Sequence, residues 1–233
     1  MKKISLHRVE EASGGDCSVM TVLFRDRADA GRRLAVQLTG HANKSGVLVL
    51  GLPRGGVPVA YEVAQKIDAP LDVLIVRKLG VPGHEELAMG AIATGGIRIL
   101  NEKIVRSLQI PATTIDAVAD MEEVELKRRE RIYRGSRLPR EIGGKTVILI
   151  DDGIATGSTM RAAIQVLRRQ KAGRVVVAVP YAPQSACDDF EGEADELVVL
   201  NSTEAFWAVG EAYADFSPVS DEEVTRLMEI AGP

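Results

Sequence analysis

The chain is poor in the residues from which metal centres and disulfide frameworks are built. Its two cysteines, Cys17 and Cys187, stand far apart and match no metal-ligand spacing. Its three histidines, His7, His41 and His84, are never four residues from one another, so no histidine-based zinc site is expected. The thiols read as reduced cysteines of a cytoplasmic protein. The opening MKKISLHRVE is basic but lacks an apolar core, and no secretory leader is read there. No apolar run approaches the ~20 residues of a membrane-spanning helix, so no membrane partner is expected. Nor is positive charge in surplus: 29 Lys and Arg face 33 Asp and Glu, leaving −4. That balance does not favour nucleic acid as a bulk partner.

What is present is an ordinary core composition, 45% hydrophobic and 27% charged over 233 residues. Such a length supports one domain that needs no covalent staple. Apolar runs at 47–50, 72–76, 146–151, 174–179 and 196–200 read as strands. Between and around them, 26–38, 57–66, 113–134, a segment ending near 171, and a last segment from Ser220 read as helices. Ser220 and Glu223 have capping-box spacing. Continuous apolar strands alternating with helices predict an α/β fold, a mainly parallel sheet flanked by helices. Gly95-Gly96, between 88–94 and 97–101, predicts a hairpin. The sequence has no internal repeat, and 1–233 reads as a single domain. Its core is expected at about 40–201, with 1–39 and 202–233 forming a small hood.

The most informative stretch is TVILIDDGIATGSTMRAAIQVL, residues 146–167. A strand runs into two carboxylates, Asp151 and Asp152, at the sheet edge where ligands bind in parallel α/β folds. Thr156, Gly157, Ser158 and Thr159 then open a helix, whose free N–H groups and hydroxyls suit a phosphate. The carboxylates suit ribose hydroxyls, which donate hydrogen bonds to them. A plain capping turn would explain the hydroxyls but not the paired aspartates. A second loop, GLPRGGVPVA at 51–60, places Arg54, Gly55 and Gly56 at a turn that also opens a helix. Exposed amides, a guanidinium and two glycines suit a pyrophosphate, although a glycine–proline turn with a solvated arginine has the same look. Arg77-Lys78 is read at the end of the next strand, on the same sheet edge. Gly143-Gly144-Lys145-Thr146 fails as a nucleotide loop because it enters a strand.

DDGIATGST resembles the ribose-phosphate signature of type I phosphoribosyltransferases. The resemblance implies that Asp151 and Asp152 bind the ribose hydroxyls of 5-phosphoribosyl-1-pyrophosphate. It also implies that Ala155, Thr156, Gly157, Ser158 and Thr159 cradle the 5-phosphate. GLPRGG resembles the family's pyrophosphate loop, with Arg54, Gly55 and Gly56 as its working residues and Arg77 and Lys78 completing the clamp. With RKLGVPGHEELAMGAI, RERIYRG and DDGIATGSTM, the likeness runs from about 22 to 228 and points to a bacterial branch whose acceptor is unassigned. The implied reaction is Mg²⁺-dependent phosphoribosyl transfer to a nitrogen nucleophile of a nucleobase-like acceptor, releasing pyrophosphate. Mg²⁺ would be held mainly by substrate oxygens, with Asp151 and Asp152 as its protein ligands.

Other features stand beside that resemblance. Ala155 stands where 6-oxopurine enzymes of the superfamily usually carry an aspartate, which disfavours hypoxanthine and guanine and leaves adenine and uracil open. Residues 81–94, with His84, Glu85 and Glu86, are expected to form a mobile loop over the reacting centre and to offer a base. Phe206, Trp207, Tyr213 and Phe216 crowd one segment of a chain that is only 4% aromatic. They read as a small aromatic core or as a stacking face for the acceptor. Arg128, Arg129, Arg131, Arg134, Arg137 and Arg140 surround Tyr133 and read as a solvated helix end or a polyanion contact. The rival function is a non-catalytic phosphoribosyl-pyrophosphate sensor that binds RNA; a pyrophosphate-forming synthetase is a weaker third. Assembly into a homo-oligomer is a further expectation.

Overall fold

The computed structural model describes residues 3–6 as backbone, and 22–190 and 192–232 in full. Cys17 and His7 lie outside the described residues, as do 1–2 and the rest of 7–21 in the first arm of the expected hood. In chain order the elements begin with β1 (Lys3–Leu6), α1 (Arg27–Gln37), β2 (Val47–Gly51), α2 (Gly56–Ile67) and β3 (Leu71–Val73). Then come β4 (Val76–Val81), β5 (His84–Ala93), β6 (Ile97–Leu100), α3 (Glu102–Ser107), α4 (Ala112–Arg134) and β7 (Thr146–Ile150). The chain ends with α5 (Ser158–Arg169), β8 (Arg174–Pro183), α6 (Gln184–Asp189), β9 (Glu196–Thr203) and α7 (Asp221–Ile230).

The larger sheet is parallel throughout, in the order β1-β9-β8-β7-β2-β3. Side chains alternate across a strand, so its apolar runs feed two cores at once. Val49, Ile148, Ile150, Val176 and Val198 pack towards α1, α2, α4 and α7. Leu48, Leu50, Val147, Leu149, Val175 and Val177 pack towards α5 and α6. This three-layer arrangement is the one expected from the apolar runs. The strand order turns at β2 and β7, because β2 connects outward to β3 while β7 connects the other way to β8 and β9. The crevice at such a turning point, beyond the strands' carboxyl ends, is where this class of sheet binds ligands.

Two expectations are corrected. The run 72–76 is not one strand: β3 ends at Val73, and β4 starts a separate antiparallel sheet of order β4-β5-β6. The apolar run passes without a break from one sheet to the other, which hides the corner. Residues 81–94 are not a loop, since most of them form β5, paired with β4 around a turn at Pro82 and Gly83. The hairpin at Gly95-Gly96 is present as expected, with φ of +82° and +72°, a left-handed pair that glycine adopts without strain.

At the far end, the N–H groups of Leu23 and Phe24 donate to the Ala212 carbonyl, and those of Ala214 and Asp215 donate to Phe24 and Arg25. Ser220 caps α7 by accepting from the Glu223 N–H at 3.1 Å. None of the described helices is long and apolar enough to cross a membrane.

Candidate functional site

Both loops singled out in the sequence leave the carboxyl ends of neighbouring strands, β2 and β7. The first is pinned by Leu52 N–H donating to the Ile150 carbonyl at 2.9 Å and Gly56 N–H donating to the Leu52 carbonyl at 3.0 Å. Its Pro53–Arg54 peptide is cis. Gly55 stands at the start of α2 with no side chain capping the helix. A Cβ at Gly55 would collide with the Asp152 carboxylate, and one at Gly56 would lie 2.7 Å from the Ile150 carbonyl and 2.8 Å from Asp151 Cα. The glycines are therefore what lets the arginine loop lie directly on the aspartate pair.

Asp151 and Asp152 sit at the bottom of this junction. Asp151 Oδ1 accepts the Asp152 N–H at 2.9 Å. Burial pushes the Asp151 carboxyl well above the usual carboxylate range, and the neighbouring Asp152 adds to the shift. Burial also raises Asp152, opposed by the Arg27 guanidinium. Arg27 Nε donates to Asp152 Oδ2 at 2.8 Å, the two side chains being only 11% and 14% exposed. Arg27 Nη1 donates to the Ser217 carbonyl at 2.8 Å, and the guanidinium carbon lies 3.9 Å from the centre of the Phe216 ring. Tyr213 donates its hydroxyl to the Asp152 carbonyl at 2.6 Å and stacks between Phe24 and Phe216. Arg27 thus belongs to the site although the sequence gives it no motif; its only local signal is a place just after Asp26, the cap of α1.

The second loop turns through Gly157, at φ +70°, whose missing Cβ leaves room for the Phe190 ring. No side chain caps α5, so the N–H groups of its first turn donate to no capping side chain. Ala155 and Thr156 are exposed, and the Thr156 and Ser158 hydroxyls lie 3.1 Å apart. Thr159 follows in the first helical turn.

Arg54 is 46% exposed, with Nη1 3.8 Å from Asp221 Oδ1. The same carboxylate accepts from the Tyr133 hydroxyl at 2.6 Å and faces Arg128 Nη1 at 3.3 Å. Tyr133 and then Arg128 hold it below the usual carboxylate range.

Arg77-Lys78 does not form one clamp at the edge of the parallel sheet. Both residues lie inside β4, where neighbours point to opposite faces. Arg77 turns to α4 and is taken by Glu122 at 2.6 Å. Lys78 lines a cleft of about 480 Å³ that it shares with Asn101, Ser158 and Arg161. His84, Glu85 and Glu86 are exposed at the start of β5. The N–H groups of Glu85 itself and of Gly83 hold the Glu85 carboxyl low, which makes it a poor base.

The aromatic segment divides. Tyr213 and Phe216 build the wall around Arg27, Phe206 packs on Tyr181 with ring centres 5.5 Å apart, and Trp207 is exposed. The arginines of 128–140 are mostly neither solvated nor free for a polyanion. Arg134 is buried on Asp72 and the Val73 carbonyl, Arg137 holds the Met228 carbonyl, and Arg140 holds that of Leu71. Arg128 and Arg129 are paired with Glu125. Cys187 is buried, its thiol pushed up to about 11. Among the described residues no group of three or more His, Cys, Asp or Glu is placed to hold a metal.

A parallel sheet whose turning point carries an amide-and-arginine loop beside a carboxylate-and-helix-start loop makes this an α/β protein of the class whose members bind ligands beyond their strand ends. The phosphoribosyl transferase domain matches residues 24–90 and 83–216, and the chain belongs to that family. Over 209 residues it is 49% identical to "Putative phosphoribosyl transferase Rv0571c" of Mycobacterium tuberculosis, an alignment covering 90% of this chain and 47% of that protein. The chain thus spans about half the length of the first curated relatives it matches. The bifunctional protein PyrR of Brevibacillus brevis is 37% identical over 99 residues, covering 40% of this chain and 54% of PyrR. Among solved structures, TT1426 from Thermus thermophilus superposes with a TM-score of 0.81 at 40% identity, covering 90% of this chain and 99% of that one.

Proposed function

We propose that the chain transfers the phosphoribosyl group of 5-phosphoribosyl-1-pyrophosphate to a nitrogen of a nucleobase-like acceptor in the cytoplasm. The observation that carries this reading is the direct packing of Gly55 and Gly56 on the Asp151–Asp152 pair, because it sets a pyrophosphate-type loop against a ribose-type one. In the reaction the bond from ribose C1 to the pyrophosphate oxygen breaks and a bond from C1 to nitrogen forms, with inversion at C1. Positive charge develops on the sugar and negative charge on the leaving group.

Asp151 and Asp152 would accept hydrogen bonds from the ribose hydroxyls. The loop 155–159 would hold the 5-phosphate, and together they fix the sugar in place. Arg54 would exchange Asp221 for the pyrophosphate, joined by the Gly55 and Gly56 amides, while Lys78 would approach from the cleft it shares with Ser158. Two adjacent carboxylates suit a hard cation that keeps most of its ligands from substrate phosphates, so Asp151 and Asp152 are the residues that would meet Mg²⁺. Bound there, the ion would neutralise the leaving pyrophosphate. Ala155 offers no acceptor for a protonated ring nitrogen, which supports adenine-like or uracil-like acceptors over 6-oxopurines.

A direct assay is pyrophosphate release from the donor across a panel of nitrogen bases. The expected outcome is release that requires both one base and Asp152. A folded protein that binds the donor and releases nothing with any base would favour the sensor instead. The internal pairing of Arg128, Arg129, Arg134 and Arg137 argues against the RNA-binding form of that rival.

A further inference from the structure

Asp221 stands at the first position of α7, just after the Ser220 cap, and gathers side chains from two other parts of the fold. Its Oδ1 accepts the Tyr133 hydroxyl of α4 at 2.6 Å and lies 3.8 Å from Arg54 Nη1. Its Oδ2 accepts from Arg128 Nη1 and Nη2 at 3.3 and 3.4 Å. Arg128 is itself gripped by Glu125 at 2.7 and 3.0 Å, and Tyr133 is fully buried. The carboxylate is thus fixed from α4. Arg54 is held far more loosely: it is half-exposed, and among the described residues its guanidinium has this ion pair and no hydrogen bond. An acidic first turn complements the helix dipole, which accounts for Asp221, Glu222 and Glu223 as a group. It does not account for one of the three being anchored from α4 while facing the arginine of the pyrophosphate-type loop.

We infer that Asp221 is a positioning residue for Arg54: a fixed carboxylate that holds the guanidinium beside the junction when no pyrophosphate is present and takes it back when pyrophosphate leaves. The inference rests on the proposed donor site, in which Arg54 is the group that meets the leaving group. Because Tyr133 and Arg128 hold Asp221 in place, the carboxylate does not follow Arg54 to a ligand. The arginine therefore has two alternative partners rather than one shared network. A ligand gains Arg54 only by displacing Asp221, so Asp221 weakens the binding of donor and pyrophosphate alike. Its negative charge also opposes a polyanion nearby, an effect of the same sign. The same competition favours the departure of pyrophosphate, since the cation left behind has another anion at hand.

The test is calorimetric titration of inorganic pyrophosphate and of 5-phosphoribosyl-1-pyrophosphate, both with Mg²⁺, into wild type and variants, with circular dichroism and thermal melts to verify folding. Asp221→Asn is expected to bind both ligands roughly three- to fivefold more tightly, the range set by losing one partly exposed ion pair. It should do so while melting at a lower temperature, since α7 loses its tie to Tyr133. Damage to the fold alone would weaken binding, so the tightening is the signature. Asp221→Ser serves as the second charge-removing variant should the asparagine form not fold, and Asp221→Glu, which keeps the charge, should bind more like wild type. Tyr133→Phe frees the carboxylate to close on Arg54 and should weaken both ligands, an effect that disappears in Asp221→Asn/Tyr133→Phe. Wild type that binds neither ligand overturns the donor site and this role with it. Wild type that binds, with charge-removing variants that bind equally or more weakly, overturns the role of Asp221 and leaves the donor site standing. So does a Tyr133→Phe effect that persists without Asp221.

Discussion

Arg27 Nε lies 2.8 Å from Asp152 Oδ2, a salt bridge between the first described helix and the loop after β7, 125 positions away in sequence. It ties the aspartate pair to the segment carrying Phe216 and Ser217, so the order of the chain ends and the state of the carboxylates are linked. Arg27→Ala leaves two buried carboxyls without a cation and is expected to cost roughly 3 kcal/mol. The loss should be largest at alkaline pH. Without Arg27 the folded-state value of Asp152 rises further, and a raised acid loses stability as pH climbs through it. Urea unfolding at pH 5 and pH 8 measures this, and Arg27→Lys should recover part of the loss.

Asp151 gives a second pH signature. Its folded-state value is raised by burial, above an unfolded value of about 3.9. Between the two values the folded state holds more protons than the unfolded state, so stability falls as pH rises through that window. Asp151→Asn removes the liability. The variant should melt at a higher temperature than wild type at neutral pH and at the same temperature near pH 3, while losing donor binding. Thermal melts across pH read the first effect and calorimetry the second.

Gly55→Ala should act through its neighbour, because the added Cβ collides with the Asp152 carboxylate. Displacing Asp152 from Arg27 or shifting the loop is expected to cost about 1–3 kcal/mol. Donor affinity should fall by more than stability alone explains. Gly83→Ala, where nothing lies within 4 Å of the added Cβ, is the comparison on another glycine turn, although its φ of +79° brings backbone strain of its own.

The Arg134–Asp72 pair is buried on both sides. Arg134→Ala strands the Asp72 carboxylate, which still accepts the Val73 and Arg140 N–H groups. Such an uncompensated charge is expected to cost roughly 3–5 kcal/mol. Denaturant unfolding should register that loss, and RNA retention should be no different at low and high salt. Retention that falls steeply with salt would contradict a structural role for this stretch.

What could be read from the sequence follows the range of the interactions involved. The strand–loop–helix at 146–167 was legible because apolar run, carboxylates and small residues are contiguous, and the Gly95-Gly96 hairpin because its φ values are a local need of glycine. The three-layer sheet followed from uninterrupted apolar strands. The corner after Val73 was not legible, since Leu74 and Ile75 are as buried as the strands they join. That corner moved Arg77 onto α4 and separated it from Lys78. The Arg27 contact and the burial of Arg134 depend on partners 125 and 62 positions away, and no local pattern announces them.

The central claim is that the Asp151–Asp152 junction binds the phosphoribosyl donor. Calorimetric titration of 5-phosphoribosyl-1-pyrophosphate, with and without Mg²⁺, into wild type and into Asp151→Asn/Asp152→Asn tests it most directly. The account requires binding that Mg²⁺ strengthens and that the folded double variant loses. No heat of binding to well-folded wild type, or equal binding by the variant, would contradict it.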